Sequence, residues 1–279
     1  MTGILDGKVV IVTGAGAGLG RAYAEHAASE GAAVVVNDID RERGAQTVGS
    51  IADRGGRAVA SDHNVADWDA AEALVALAHK EFQALHGLVN NAGVLSICEP
   101  GDETEASIRQ QIEINLMGAV FVGTHAIRAM KAAGGGTIVN ATSAAQMGIS
   151  KISTYGATKG ALASLTYGWA LDLKQANIRV NGYSPVASTQ MTSRSPIPVS
   201  GVPTAEANAA IVSYLLSDLS DGITGQVVQR RGPDLLVMCH PDYTQHQASA
   251  DAWDTQTVIG RFDSVLRAGL QPVGDPRLR

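Results

Sequence analysis

Short runs of apolar residues alternate along the chain with longer stretches whose apolar residues recur at helical spacing. The apolar runs, typical of strands buried on both faces, lie at 8–14, 33–37, 57–61, 87–93, 136–142 and 177–183. The helical stretches lie between them, at 21–28, 41–53, 67–84, 104–132, around Tyr155 and at 204–217. This regular alternation predicts an α/β fold with one doubly wound parallel sheet and helices on both faces.

The C-terminal part continues less regularly. Val227–Gln229 and Asp234–Met238 are candidate last strands, and 257–268 has the spacing of an amphipathic helix. No linker or internal repeat divides the preceding chain, so we expect one domain over 1–232. Residues 233–279 form a C-terminal extension, which we expect to pack on this domain or on a neighbouring subunit.

Composition and charge argue against several kinds of partner. Of the 279 residues, 45% are hydrophobic and 17% are charged, and a net charge of −6 does not suit a nucleic-acid surface, which needs clustered Lys and Arg. No apolar run reaches the roughly 20 residues that span a bilayer, and the first residues show no signal pattern. Cys98 and Cys239 lie far apart, which favours two reduced thiols. His240 and His246 lack further ligands at metal-binding spacing. We therefore expect a cytoplasmic protein with no membrane, nucleic-acid or metal partner.

The first strand runs into a glycine-rich turn, Thr13–Gly20, which is followed by a helix-forming segment. Strand, glycine-rich turn and helix form the context of a dinucleotide-binding loop. Glycines let the backbone approach a pyrophosphate, whose charge the helix N-terminus receives. The residues predicted to hold the dinucleotide here are Gly14, Gly16, Gly18, Leu19 and Gly20. The pattern predicts a sheet of the Rossmann type.

Asp38 follows the second strand, about 20 residues after the glycines. An acidic side chain at this place can hydrogen-bond a ribose diol and would repel an additional 2′-phosphate. Arg41 and Arg43 argue instead for NADP, because a basic side chain could receive that phosphate. We predict NAD(H) as the cofactor. Asn64 and Val65, in the loop after the third strand, are placed near its adenine.

Tyr155 and Lys159 lie four residues apart, so on a helix their side chains share one face. Free tyrosine titrates at about 10, so a base that works near neutral pH needs a shift of roughly two to three units. A positive charge about 4 Å away supplies on the order of 4 kcal/mol, which matches that shift. Asn115 interrupts the apolar stripe of the 104–132 helix, which indicates either a local helix distortion or a functional group.

Several motifs occur in one order along the chain. They are Thr13-Gly-x-x-x-Gly-x-Gly20, Asn90-Asn-Ala-Gly93, Asn115, Ser143, Tyr155-x-x-x-Lys159 and Ile178-Arg-Val-Asn181 followed by Ser184-Pro185. Together they resemble the short-chain dehydrogenase/reductase family, of its classical type, over roughly residues 5–230. Within that family, Val34–Asp38, Pro185–Met191 and Ile223–Gln226 are similar to peroxisomal-type 3-hydroxyacyl-CoA dehydrogenases and bacterial hydroxysteroid dehydrogenases.

The resemblance implies an NAD-linked secondary alcohol dehydrogenase or ketone reductase. Tyr155 would be the general base in oxidation and the general acid in reduction. Lys159 would lower the pKa of that tyrosine and hold the nicotinamide ribose. Ser143 would orient the substrate oxygen, and Asn115 would anchor a water molecule that links Lys159 to solvent.

The resemblance also implies further cofactor contacts. Asn91, Ala92 and Gly93 would pack by the adenosine ribose. Pro185 and Val186 would lie on the nicotinamide side, and Thr189 would hydrogen-bond the carboxamide.

Three positions depart from the family pattern. The segment from Ser143 to Tyr155 is one residue shorter than is common, so Thr142 is the alternative to Ser143. Val186 replaces a usual glycine, and Asn64 stands where an aspartate is common. None of these changes removes a proton-transfer group.

The predicted reaction interconverts a secondary alcohol and a ketone. Its substrate would be apolar, of terpenoid, steroid or acyl type, because the loop 187–203 contains Ile197, Pro198 and Val199. Two alternatives stay open: a nucleotide-sensing regulator on the same fold without turnover, and an NADP-dependent 3-oxoacyl reductase. The resemblance implies a homotetramer or homodimer.

Overall fold

The computed structural model describes residues 3–187, 202–272 and 274. Their strands are β1 (Val9–Thr13), β2 (Ala33–Asn37), β3 (Arg57–Ser61), β4 (Gly87–Asn90), β5 (Gly136–Ala141), β6 (Ile178–Ser184), β7 (Val227–Arg231) and β8 (Asp234–Val237). In the described part of the chain they form one sheet of eight strands, in the order β3-β2-β1-β4-β5-β6-β7-β8. All neighbours pair in parallel except β7 and β8, which pair antiparallel.

The helices lie between the strands and after them. They are α1 (Gly18–Ser29), α2 (Arg41–Asp53), α3 (Trp68–Phe82), α4 (Glu105–Gln111), α5 (Gly118–Ala133), α6 (Ser153–Asp172), α7 (Ala209–Leu216) and α8 (Thr255–Ser264). Among the described helices, none is long and apolar enough to cross a membrane. The predicted α/β class and doubly wound sheet are confirmed, with β8 as an antiparallel strand at one edge.

The central strands are largely apolar because each face of the sheet carries its own hydrophobic core. In β1, Val10 and Val12 belong to the core that includes residues of α1 and α7. Val9 and Ile11 point the other way, into the core that includes residues of α3, α5 and α6. Successive side chains of a strand alternate between faces, so a strand covered on both sides needs an apolar residue at every position.

The helical character predicted over 104–132 is confirmed from Glu105 to Ala133, with a π-helical segment, Ile112–Met117, between α4 and α5. Asn115 lies inside this segment and is completely buried. Its amide hydrogen-bonds the backbone of Val94 in both directions. Single-turn π segments within helices frequently occur at functional sites. Here the distortion turns a polar residue of the helix toward the loop after β4.

The chain divides into two compact units, Met1–Met238 and Cys239–Arg279. The first unit contains the whole sheet, including β8. In the second unit, Asp254 caps α8 by accepting a hydrogen bond from the Thr257 amide. Val258 and Phe262 of this helix are 44% and 41% exposed. The expected packing of 233–279 on the domain or on a neighbouring subunit stays a prediction.

Arg179 of β6 ties the sheet to the segment that follows α7. One terminal nitrogen of its guanidinium donates to the Ser220 hydroxyl at 2.8 Å. The other donates to the Ser217 carbonyl oxygen at 2.8 Å and to the Thr137 hydroxyl at 3.0 Å. Its two terminal nitrogens thus donate to carbonyl and hydroxyl groups at and beyond the end of α7 and to β5.

We predict that Arg179→Met lowers the free energy of unfolding by about 2 kcal/mol or more, because it leaves these partly buried acceptors unpaired. The measurement is urea unfolding at a fixed protein concentration. Arg109→Met is the matched control, because Arg109 is exposed and pairs only with Glu105 on its own helix among the described residues. Equal stability of the two variants would contradict this role of Arg179.

Candidate active site

Residues at the end of β4 hydrogen-bond the turn between β1 and α1. Asn91 Nδ2 donates to the carbonyl oxygens of Thr13, at 2.9 Å, and Gly14, at 3.2 Å. In return, the Thr13 hydroxyl accepts hydrogen bonds from the amides of Asn91, at 3.0 Å, and Ala92, at 3.1 Å. These two strands are neighbours at the point where the strand order reverses, which is where doubly wound sheets bind ligands.

Two glycines of this turn have no room for a side chain. A Cβ at Gly20 would lie 2.1 Å from the Gly14 carbonyl oxygen. A Cβ at Gly14 would lie 2.9 Å from Ala92 Cα, and Gly14 has a φ of +63°, which favours glycine. The backbone of the turn therefore packs directly against α1 and the loop after β4, with no space for a side chain at Gly14 or Gly20.

The N-terminus of α1 has the chemistry of an anion site. No side chain caps it, and its first turn carries no acidic residue. By contrast, Asp40, Asp67 and Thr104 cap α2, α3 and α4 with their side chains. The first amides of a helix point outward along its axis and need an acceptor. This end of α1, with its close glycine turn, fits the pyrophosphate of a dinucleotide.

Asp38 lies beside the glycine turn, as predicted. Its Oδ2 accepts a hydrogen bond from the Gly16 amide at 2.8 Å, and its Oδ1 accepts one from the Asp40 amide at 2.9 Å. A Cβ at Gly16 would come within 2.8 Å of both this carboxylate and Arg43 Cβ. Arg43 itself pairs with Asp40 at 3.1 Å, so the structure gives its charge a carboxylate partner.

Asn64 and Val65 differ in their surroundings. Asn64 is exposed and its Oδ1 accepts from the Ala66 amide, so its side chain shapes the turn before α3. Val65 is buried, and a Cβ at Gly118 would lie 2.8 Å from its Cγ2. Val65 therefore packs on the start of α5. The adenine contacts of both residues stay predictions.

Asn115 joins the loop after β4 to the helix that carries Tyr155. Its Oδ1 accepts from the Val94 amide at 2.7 Å, and its Nδ2 donates to the Val94 carbonyl at 2.9 Å and to Thr158 Oγ1 at 3.1 Å. The Thr158 hydroxyl then donates to the Tyr155 carbonyl oxygen at 2.8 Å. The local helix distortion, one of the two alternatives from the sequence, is present at Asn115, and its functional role stays a prediction. The predicted water on Asn115 stays a prediction.

Ser143 and Thr142 follow β5, and the structure distinguishes them. Ser143 is half-buried, caps a short 3-10 helix through the Ala145 amide, and makes a hydrogen bond that lowers the pKa of Tyr155. Thr142 is 3% exposed, and its Oγ1 has no hydrogen-bond partner among the described residues. The geometry therefore favours Ser143 over Thr142 as the residue next to the reacting oxygen.

Tyr155 and Lys159 share one face of α6, with Lys159 Nζ 5.7 Å from the centre of the tyrosine ring. Lys159 Nζ donates to the Ala141 carbonyl oxygen at 2.7 Å. Burial lowers the pKa of Lys159 to about 8. Burial raises the pKa of Tyr155 to about 12, against the smaller lowering by Ser143. Without a ligand, both groups are thus biased toward their uncharged forms. Lowering of the tyrosine pKa by Lys159 stays a prediction.

Gly93 completes the junction of these groups. A Cβ at Gly93 would lie 3.2 Å from Asn115 Oδ1 and 3.6 Å from Lys159 Nζ. The glycine thus leaves space directly in front of the ammonium, which has donors to spare beyond its bond to Ala141. A ribose hydroxyl fits this chemistry.

The remaining predicted cofactor residues lie at the end of β6. Pro185 and Val186 are half-buried, and the Val186 carbonyl oxygen accepts from Asn208 Nδ2 at 3.4 Å. Thr189 and the apolar residues Ile197, Pro198 and Val199 lie outside the described residues. The sequence reasoning gave no role to Thr13 or Thr158. Thr13 opens the glycine motif and Thr158 lies between Tyr155 and Lys159, and these positions are the signal that the sequence offers.

Fold and site together are those of a dinucleotide-dependent oxidoreductase. Residues 8–196 match the family described as short chain dehydrogenase. The chain is 38% identical over 240 residues to cyclohexanol dehydrogenase of Acinetobacter sp., covering 81% of this chain and 94% of that protein. It is 35% identical over 260 residues to the 3-alpha-(or 20-beta)-hydroxysteroid dehydrogenase of Mycobacterium tuberculosis, covering 90% and 98%. The chain therefore belongs to the short-chain dehydrogenase family, whose members use a nicotinamide cofactor.

Solved structures agree with this assignment. A short chain dehydrogenase from Mycobacterium avium matches with a TM-score of 0.88 at 32% identity, covering 97% of this chain and 98% of that one. A 7 alpha-hydroxysteroid dehydrogenase complexed with NADH matches at 0.77 and 31% identity, covering 82% and 95%. A gluconate 5-dehydrogenase from Burkholderia cenocepacia in complex with NADP and tartrate matches at 0.76 and 28% identity, covering 82% and 95%. The first match extends into the C-terminal unit, which the family motifs do not reach.

The lowered pKa of Lys159 predicts a pH dependence of stability in the protein without cofactor. Between about pH 8 and the ordinary lysine value of 10.5, the unfolded chain holds a proton on Lys159 that the folded chain gives up. Stability therefore rises with pH across this window, and the cost of the buried charge is fully present below it. The shift corresponds to a cost on the order of 3 kcal/mol.

We predict that Lys159→Met removes this dependence. The free energy of unfolding of the variant minus that of the parent should fall by about 2 kcal/mol between pH 7 and pH 10. Urea unfolding at several pH values measures it. Lys131→Met, at the exposed end of α5, is the control and should show a constant difference. A constant difference for Lys159→Met as well would contradict the prediction.

Proposed function

We propose that the protein interconverts an alicyclic secondary alcohol and the matching ketone with NAD(H) as its cofactor. The observation that carries the proposal is the meeting of Tyr155, Lys159, Ser143 and Asn115 at the carboxyl ends of β4 and β5. Each is held by named contacts, and the residues come from three separate segments: Asn115 from the π segment, Ser143 from the end of β5, and Tyr155 with Lys159 from α6. A nucleotide sensor without turnover would not need this combination.

The protein residues divide the work of proton transfer. In the oxidation direction, Tyr155 takes the proton of the substrate hydroxyl as general base, and in reduction it returns that proton to the ketone oxygen. Ser143 donates to or accepts from the same oxygen and so orients it. The bound nicotinamide supplies the hydride acceptor or donor. Lys159 holds the nicotinamide ribose with the donors that Ala141 leaves available and favours the ionised form of Tyr155.

Asp38 supports NAD over NADP. Its carboxylate faces the glycine turn through Gly16, where an adenosine ribose would lie. A 2′-phosphate would approach that negative charge, which costs free energy in a partly buried site. Arg43, the basic residue nearest this carboxylate, already pairs with Asp40. Because Asp40 already neutralises Arg43, this arginine is less available to bind a 2′-phosphate, and the ribose diol of NAD is favoured.

The names of the relatives support a ring alcohol as substrate. Cyclohexanol and hydroxysteroids carry a secondary hydroxyl on a saturated ring. Such a substrate is apolar apart from the reacting oxygen, as we expected from the sequence. Of the predicted substrate types, this favours steroid and cyclic terpenoid alcohols over acyl groups. A homo-oligomer and a cytoplasmic location remain part of the proposal, and native mass spectrometry tests the former.

The direct test is a screen of alicyclic, open-chain and 3-oxoacyl substrates with NAD(H) and with NADP(H), followed at the absorbance of the reduced nicotinamide. Turnover of ring alcohols with NAD supports the proposal. Turnover only of 3-oxoacyl substrates with NADPH supports the reductase alternative instead. NADH binding without turnover of any substrate would leave the sensor as the better account.

We predict that Tyr155→Phe abolishes turnover while the protein still binds NADH. The phenol hydroxyl is the proton donor and acceptor, and its loss removes general acid–base catalysis worth about 10²–10⁴-fold in rate. The glycine turn and Asp38, which hold the nucleotide, are unchanged. Quenching or enhancement of NADH fluorescence measures binding separately. Tyr167→Phe, on the same helix, is the control and should keep its activity; parent-like turnover in Tyr155→Phe would contradict the mechanism.

Asp38→Asn should shift the cofactor preference. The amide keeps an acceptor for the Gly16 amide but loses the charge, so NAD binds more weakly and the 2′-phosphate is repelled less. We expect the ratio of kcat/KM for NAD to that for NADP to fall by about tenfold. Asp53→Asn makes the same change of net charge at the exposed end of α2. An unchanged ratio in Asp38→Asn would show that another residue selects the cofactor.

A further inference from the structure

The segment 94–104, between β4 and α4, is tied at three places to the residues that immediately precede Tyr155. The Cys98 amide donates to the Lys151 carbonyl oxygen at 2.9 Å. The Lys151 ammonium pairs with Glu99 at 3.1 Å. The Thr154 hydroxyl donates to Glu103 Oε2 at 2.5 Å. These ties join two parts of the chain about fifty residues apart, directly beside the catalytic tyrosine.

Glu103 accepts three hydrogen bonds in this junction, including the one from Thr154. Its Oε1 accepts from Gln111 Nε2 at 2.6 Å and from the Ser107 hydroxyl at 3.3 Å. Gln111 is 1% exposed, and its Oε1 accepts from the Ser96 amide at 3.3 Å. A continuous path of hydrogen bonds thus runs from the backbone of the 94–104 segment, through Gln111 and Glu103, to Thr154 in the first turn of α6.

Helix capping does not account for Glu103. Thr104 already caps α4, through a hydrogen bond from the Ser107 amide at 3.2 Å. Among the described residues, no Lys or Arg forms an ion pair with Glu103. Its carboxylate is instead held by three neutral donors, and hydrogen bonds to an ionised acceptor are stronger and shorter than neutral ones. A negative charge at the first turn of α6 also suits the positive end of the helix dipole.

We propose that Glu103 is a positioning residue, which fixes the first turn of α6 against the 94–104 segment and so sets the place of the Tyr155 hydroxyl. The inference rests on the proposed function, in which that hydroxyl must lie within about 3 Å of the substrate oxygen. Thr154 is the neighbour of Tyr155 in sequence, so a shift of this turn shifts the tyrosine with it. A displacement of about 1 Å in such a group can cost about a hundredfold in rate.

Two nearly isosteric variants test the tie from its two ends. Glu103→Gln removes the negative charge and leaves one oxygen, instead of two, to accept from the three donors, and Thr154→Val removes the hydroxyl donor. For each we expect kcat to fall by about tenfold or more, with the dissociation constant of NADH within about twofold of the parent. Because both variants weaken or remove the same hydrogen bond, the double variant should be little worse than the poorer single one.

Glu105→Gln is the matched control. It makes the same charge change two residues later, on an exposed side chain that pairs with Arg109 on its own helix. Ser107→Ala is a second control, because it removes the local contacts of its hydroxyl with Glu103 and Gln111 but leaves the bond between Glu103 and Thr154. Both should keep kcat within about twofold of the parent.

Amide hydrogen exchange supplies a readout that does not depend on turnover. In Glu103→Gln, the peptides covering 94–104 and 150–156 should exchange faster than in Glu105→Gln, since local opening becomes easier when the tie is lost. Equal exchange in these two variants overturns the proposal. So does a kcat within about twofold of the parent in Glu103→Gln and Thr154→Val, or additive losses in the double variant. Absence of turnover in the unchanged protein would overturn the proposed function instead, and the exchange comparison would still decide whether Glu103 holds the tie.

Discussion

Burial of the Lys159 ammonium is the constraint on which the site depends. The side chain is 3% exposed, and the Ala141 carbonyl is its hydrogen-bond partner among the described residues. No described carboxylate forms an ion pair with it, so burial lowers its pKa and also raises that of Tyr155. With a pKa of about 8, Lys159 is still mostly protonated near neutral pH, whereas Tyr155, with a pKa of about 12, is not ionised there. Ionisation of Tyr155 near neutral pH therefore needs a contribution beyond those of the described residues.

The surrounding contacts keep this pair in place without neutralising it. Asn115 reaches α6 through Thr158, and the same amide fixes Val94. Gly93 leaves the space in front of the ammonium that a side chain would take. A carboxylate at any of these positions would stabilise Lys159, but it would also hold the ammonium away from a ribose and cancel its effect on Tyr155. Because Asn115, Thr158 and Gly93 carry no charge, they position the Lys159 ammonium without cancelling its effect on Tyr155.

The sheet could be predicted from the sequence because its central strands are largely apolar, and β1 is apolar from Val9 to Val12. The side chains from Val9 to Val12 pack alternately into two separate cores, and this requires an apolar residue at each of these positions, which the sequence shows directly. The helical character of 104–132 could be predicted from residue spacing, but the π segment within it could not, because Asn115 in that segment bonds Val94, which is distant in sequence. Residue spacing shows which side chains share a helix face but carries no information on a partner from another element.

The candidate site shows the same division. Tyr155, Lys159, Asn115 and Asp38 could be named because each belongs to a motif with fixed spacing. The direction in which burial moves the pKa of Tyr155 could not be deduced, because desolvation depends on the elements packed around the helix. Glu103 and Thr154 escaped notice for a related reason. Neither stands in a motif, and their bond forms only when the loop after β4 folds against the start of α6.

Arg179 and Asn181 show that a motif residue need not belong to the chemistry. Both lie in β6, within a motif that carried the family resemblance. Arg179 holds the carbonyl groups that follow α7, and Asn181 Nδ2 donates to the Ile223 carbonyl oxygen at 2.8 Å while its Oδ1 accepts from the Gln226 amide. They fix the connection from α7 to β7 on the edge of the sheet. Because β6 leads directly into Pro185 and Val186, these hydrogen bonds also anchor the strand from which those two residues follow.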